Sequence, residues 1–174
     1  MDDPALAASF LCKAILERES EDFAAATWAL IHAAWVCDDS DQTEEAMVCR
    51  QKAADMLLIA EEHNQRVAKP DGVSTAILVD LLRRSGQFEQ ARKTLEVRRS
   101  IANKGIVAQI LDFETDLLNR NDISCHTIAE LSIQGAERRP MSKVGKESNK
   151  SKRKVSSAES RSVPSTTSSK VKRK

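Results

Sequence analysis

The side chains best suited to proton, thiolate or metal chemistry are three histidines and four cysteines. His32 stands between Trp28 and Trp35 at steps of four and three residues, a spacing that gathers all three near one face of a helix. Such a set suits an aromatic cage for a ligand. A histidine at the edge of a hairpin core has the same spacing and is the simpler account. His63 continues the stripe of Met56 and Ala60, so partial burial explains it. Cys125 precedes His126, but helix neighbours point about 100° apart, which disfavours a thiol–imidazole dyad. Cys12, Cys37, Cys49 and Cys125 form no C-x-x-C pair. Three of them fall in predicted helices among apolar neighbours, and buried free thiols in a reducing compartment are expected.

Asp38, Asp39, Asp41, Glu44 and Glu45 form an acidic cluster. A calcium loop of the EF-hand kind needs a central glycine and a closing glutamate; counted from Asp39, those places hold Glu44 and Arg50. Helix capping by Asp41, with Glu44 completing the box, is the better account. No phosphate-binding glycine loop or H-E-x-x-H pair occurs. No residue is therefore assigned a catalytic, cofactor-binding or metal-binding role, and no enzymatic activity is expected.

The elements around these residues are helical. Hydrophobic residues make up 41% of the 174-residue chain, but aromatics only 3%, and there is no tyrosine. Five glycines and four prolines are too few for many short strands. The fold class is all-α, with about six helices in antiparallel hairpins over residues 1–134. Asp3–Pro4 opens a first helix to about Arg18, burying Leu6, Phe10, Leu11 and Ala14. A second spans about Asp22–Cys37 and a third, the longest, about Thr43–Ala68, before the break at Pro70–Asp71–Gly72. Helix four runs from Ser74 or Thr75 to Arg84 and helix five from Phe88 to Ala102. Asn103–Lys104–Gly105 stops the chain before helix six, Ile106–Asn119, and a short helix follows around Cys125–Leu131.

Leu82, Gly86, Phe88, Ala91 and Leu95 reproduce the order of large, glycine, aromatic, small and large residues in a tetratricopeptide (TPR) hairpin. Glycine admits the tight turn, and the small residue lets the helices approach. Upstream, Trp28, Ile31 and Trp35 with Ala46, Arg50 and Ala53 resemble a second unit. Its turn reads as longer than the consensus and lacks glycine, and Arg50 replaces a large apolar residue. Phe23, Ala26 and Leu30 form a partial third echo. Residues 22–125 also resemble the C-terminal part of a bacterial family of unknown function that joins TPR-like helices to an N-terminal zinc ribbon. Trp35, Arg50 and the stretch Arg83–Ala91 carry that likeness; the ribbon's paired cysteines are absent. The resemblance implies a TPR-like bundle that binds proteins or peptides, and no metal role.

Charge is unevenly divided. Residues 138–174 hold 13 Lys and Arg against two acids, a charge of +11; residues 1–137 hold 14 against 24, a charge of −10. The Ser- and Lys-rich segment 135–174 is expected to be disordered, because it has too little apolar surface to offset its ordering entropy. Lys150, Lys152, Arg153 and Lys154 form one basic cluster; Lys170, Lys172, Arg173 and Lys174 form another. These can bind nucleic-acid phosphates without sequence preference, act as a nuclear import address in a eukaryotic host, or serve as a solubilising extension. Arg83 and Arg84, near a helix end, suit the negative end of the helix dipole.

The expected function is a non-enzymatic protein–protein scaffold or adaptor; the alternative is nucleic-acid association through the tail. Candidate partner-binding residues are Trp28, His32, Trp35, Arg83 and Arg84. An acidic start and the absence of a long apolar run predict no signal peptide and no membrane partner, hence a cytoplasmic protein. Homo-oligomers are compatible with this reading.

Overall fold

A computed structural model describes residues 4–70, 72–100, 105–127 and 129–130. Asp3, Asp71, Asn103, Lys104, Leu131 and the segment 135–174 with both basic clusters lie outside them. The described residues form six helices: α1 Pro4–Glu19, α2 Phe23–Asp39, α3 Thr43–Glu62, α4 Val73–Arg84, α5 Phe88–Arg98 and α6 Gly105–Asn119. α2 packs between α1 and α3, α3 also meets α4, and α4, α5 and α6 pack on one another. The three-residue connections make α1 and α2, α2 and α3, and α4 and α5 antiparallel neighbours.

Small side chains set the packing of the first three helices. Ala26, Ala33, Ala46, Ala53, Ala54 and Ala60 are fully buried. Leu30, Ile31 and Leu57 fill the spaces between them. The Asp22 carboxylate caps α2, accepting the Ala25 N–H at 2.9 Å. In α1, Ala14 is buried and Phe10 and Leu11 partly so, but Leu6 is exposed. In the first turn Ala7, rather than Leu6, carries the stripe into the core.

One closure ends five helices. Glu21, Asp41, Asn64, Gly86 and Asn121 all adopt left-handed backbone. After each, an N–H returns to a carbonyl five residues earlier: Asp22 to Glu17, Gln42 to Cys37, Gln65 to Ala60, Gln87 to Leu82 and Asp122 to Leu117. The turn at residues 40–42 is therefore as short as the glycine turn at residues 85–87, contrary to its sequence reading. Asp41 supplies the turn rather than a cap; Gln42 takes the N-cap position and makes no side-chain bond. Counted from the left-handed residue, Phe23, Ala26 and Leu30 match Phe88, Ala91 and Leu95, and also Thr43, Ala46 and Arg50. The central alanine is fully buried each time.

The same closure at Asn64 stops α3 at Glu62, six residues short of the expected end. His63 is consequently exposed, with its ring 4.5 Å from Phe23. Gln65 then ties this end of α3 to the α1–α2 turn: its Nε2 donates to Glu21 O at 2.6 Å, and its Oε1 accepts from Ala24 N at 3.0 Å. α5 ends at Arg98; of the short helix expected around Cys125–Leu131, residues 125–127 are not helical and residues 129–130 are.

Candidate functional site

Trp28, His32 and Trp35 do gather on one face of α2, where Phe10 of α1 joins them. The His32 ring lies 5.2 Å from Phe10, 6.2 Å from Trp28 and 5.1 Å from Trp35. Trp28 is held from outside, its indole N–H donating to Val67 O at 2.9 Å. Trp35 is 48% exposed. The cluster is an edge of the helical core with one open indole.

Arg83 and Arg84 are not surface cations. Arg83 is fully buried and reaches Glu114 at 2.7 Å, Asp80 at 2.7 Å and the carbonyls of Asp122 and Ser124 at 2.6 and 3.0 Å. Arg84 and Arg50, both buried, meet on one oxygen of Asp38. Arg50 thus fills the slot of a large apolar residue with its stem, while its head is paired. The helix-dipole reading of Arg83 and Arg84 misses these tertiary partners, which lie 31 to 46 residues away along the chain.

His126 is held on both ring nitrogens, by Glu130 at 2.7 Å and Asp122 at 3.0 Å. The Glu130 carboxylate, with Asp122 opposite, raises the His126 pKa above its ordinary value. Neither nitrogen is left to activate the exposed Cys125. Glu114 is pushed up to about 7 by burial and by Asp80, because one arginine cannot neutralise two carboxylates. Cys37 and Cys49 are buried in contact with each other, and burial raises both thiols, Cys49 to about 11. They are poor nucleophiles. Cys12, expected to be buried, is exposed.

The feature that the sequence reading did not isolate is a groove. α1 and α3 flank α2 without packing on each other. Two hollows of about 350 and 340 Å³ lie between them and share Leu11 and Lys52. Leu11, Ala14 and Ile15 of α1 form one wall, Val48, Cys49 and Met56 of α3 the other, and Leu30 of α2 reaches the floor. Ile15 is 48% and Val48 51% exposed, one on each side of the groove. Arg18, Lys52, Asp55, Glu44 and Glu45 rim it. The available signal was a surplus of apolar residues: Ile15 and Val48 belong to neither helix's core stripe. A larger, polar depression of about 690 Å³ lies at the start of α5, but Arg92 there is committed to Glu89, Leu118 O and Asn121.

Among the described residues, no group of His, Cys, Asp and Glu is placed to hold a metal ion, and no helix is long and apolar enough to cross a membrane. No family model matches the chain, and no curated protein or solved structure matches it.

Proposed function

We propose that the protein is a non-enzymatic interaction scaffold, TPR-like in its hairpins, that takes a protein or peptide partner in the groove between α1 and α3. The observation that carries this reading is the groove itself, an apolar channel whose walls expose Ile15 and Val48. A cytoplasmic location belongs to the same reading, and a second copy of this chain is one partner that fits it. The test is affinity capture with the full chain and an Ile15→Glu/Val48→Glu variant whose melting curve is unchanged. Partners retained by the wild type and lost by the variant support the groove; an identical captured set overturns it.

A second reading rests on charge. The basic excess lies in residues 138–174, while Arg50, Arg83, Arg84, Arg92, Arg98 and Arg99 of the helical region are each paired with carboxylates. Phosphate binding would then fall to the clusters at Lys150–Lys154 and Lys170–Lys174. Binding to generic DNA and RNA that falls with salt, and vanishes in a chain ending near Gly135, would establish it. Salt-independent binding, or none, would dismiss it.

A further inference from the structure

The charges along the groove identify the kind of partner it accepts, an inference that rests on the groove reading above. Glu44 and Glu45 stand at one end and Arg18, with Asp55, at the other; Lys52 lines both hollows. None of these five side chains makes an ion pair or a hydrogen bond among the described residues, although six arginines elsewhere are all paired. The rim is therefore charged and uncommitted, with a net negative end at Glu44 and Glu45 and a net positive end at Arg18 and Lys52. Two helix walls whose backbones are already hydrogen-bonded offer nothing to the N–H and C=O groups of an extended strand. An α-helix satisfies its own backbone and presents only side chains. From Glu44 to Met56 the channel runs about 18 Å, the rise of roughly 12 helical residues.

We propose that the occupant is an amphipathic α-helix of about three turns, with acidic residues in its first turn over Arg18 and Lys52 and basic residues in its last turn over Glu44 and Glu45. This is the charge order that stabilises a helix by itself, acids first and bases last. It fixes the direction of the guest. α1 and α3 both run from the Glu44 end toward the Arg18 end, so the guest lies antiparallel to both, and its dipole opposes theirs favourably. An apolar ridge at three- and four-residue steps enters between Ile15 and Val48.

Two side-chain-stapled 14-residue probe peptides test this, with identical Leu/Ala ridges. One carries three Glu first and three Lys last; the other has these exchanged. With the full chain, fluorescence anisotropy should show the first binding about tenfold tighter or better, because like charges face each other in the second. The preference should invert in an Arg18→Glu/Lys52→Glu/Glu44→Lys/Glu45→Lys variant, and Val48→Arg should abolish both. Equal affinities that Val48→Arg abolishes overturn the charge order and leave the groove standing. Binding by neither peptide overturns the helical guest, while the capture experiment judges the groove independently. Saturation of the groove by a second copy, seen as a dimer in sedimentation that Val48→Arg dissolves, also overturns it.

Discussion

The two ends of this molecule solve the same packing problem with different chemistry. α1, α2 and α3 meet through alanines, with Ala26, Ala33, Ala46 and Ala53 at zero exposure, and among the described residues only the Arg50–Asp38 ion pair joins two of these helices to each other. α4, α5 and α6 add arginines to an apolar core of Leu78, Leu82, Ala91, Leu95, Leu111 and Leu118. Arg83 binds Glu114 across α4 and α6, Arg99 just beyond α5 binds Asp112 of α6, and Arg98 and Arg84 fasten the group to Glu61 of α3 and Asp38 of α2. Alanine packing needs no charges, so the first three helices keep Arg18, Lys52, Glu44 and Glu45 for a rim. At the other end Arg83, Arg84, Arg98 and Arg99 are committed to carboxylates between elements. The two ends thus differ in what their arginines do and in which charged side chains are left without ion pairs.

The sharpest way to break this comparison is Arg83→Leu. Removing one partner leaves Glu114 buried without its cation, a loss of about 3–5 kcal/mol. Urea unfolding followed by circular dichroism should report it. Adding Glu114→Leu should restore much of the loss, because the pair is then replaced by apolar packing. A loss below about 1 kcal/mol in the single variant would show that arginine does not hold α4 to α6.

The counterpart at the other end is Ala46→Leu. Ala46 has no exposed surface, and a leucine there must push α2 and α3 apart, costing about 1–3 kcal/mol. Trp28 and Trp35 are the chain's two tryptophans and both lie in α2, so fluorescence reports on this end directly. A Leu variant as stable as the wild type would mean that the alanines are not in close contact.

These two sites also show what the sequence could and could not convey. The alanine contacts were legible in part, because Ala26, Ala46 and Ala91 each take the small position of a TPR-like unit. Arg83 was misread because a base at a helix end already has a local explanation, whereas Glu114, its buried carboxylate partner, lies 31 residues away on α6. The end of α3 was placed too late because the stripe of Met56, Ala60 and Val67 runs on through Asn64, which stops the helix without a glycine. Trp28, His32 and Trp35 were correctly placed together, since four- and three-residue steps need no tertiary information. The groove stayed hidden, because Ile15 and Val48 become surplus only once the fold has decided which face of each helix is core.

Acidity should separate the ends next. Glu114, raised from 4.5 to about 7, binds more protons in the folded form across that range, and His126, raised from 6.5, does so above 6.5. Their contribution is complete below those ordinary values and is lost as pH rises through the folded ones. Asp122, lowered to about 2 chiefly by the Ser124 N–H, and Glu130, lowered by His126, contribute above their ordinary values and fail in acid. Amide exchange in residues 122–127 should therefore accelerate as pH rises from 6 to 8.5, after correction for intrinsic rates. Exchange in α2, far from these groups, should not. Equal acceleration at both ends would remove the distinction.

The smallest expected effect lies in the turns, where the two ends use one geometry with different residues. Gly86 holds φ +80, and an added Cβ would stand 3.3 Å from the Met47 methyl, so Gly86→Ala should cost about 1–2 kcal/mol. Glu21 holds φ 59 in the equivalent place and carries a Cβ already. Its carbonyl accepts from Gln65, but that bond belongs to the backbone and survives substitution. Glu21→Gly should therefore raise stability by roughly 0.5 kcal/mol, the left-handed cost reduced by the greater entropy of an unfolded glycine. A loss on adding a Cβ at Gly86 and a gain on removing one at Glu21 would show that the shared closure is one backbone shape, filled well at one end and poorly at the other. Matching signs would mean that side-chain contacts at Glu21, rather than its backbone, set the turn.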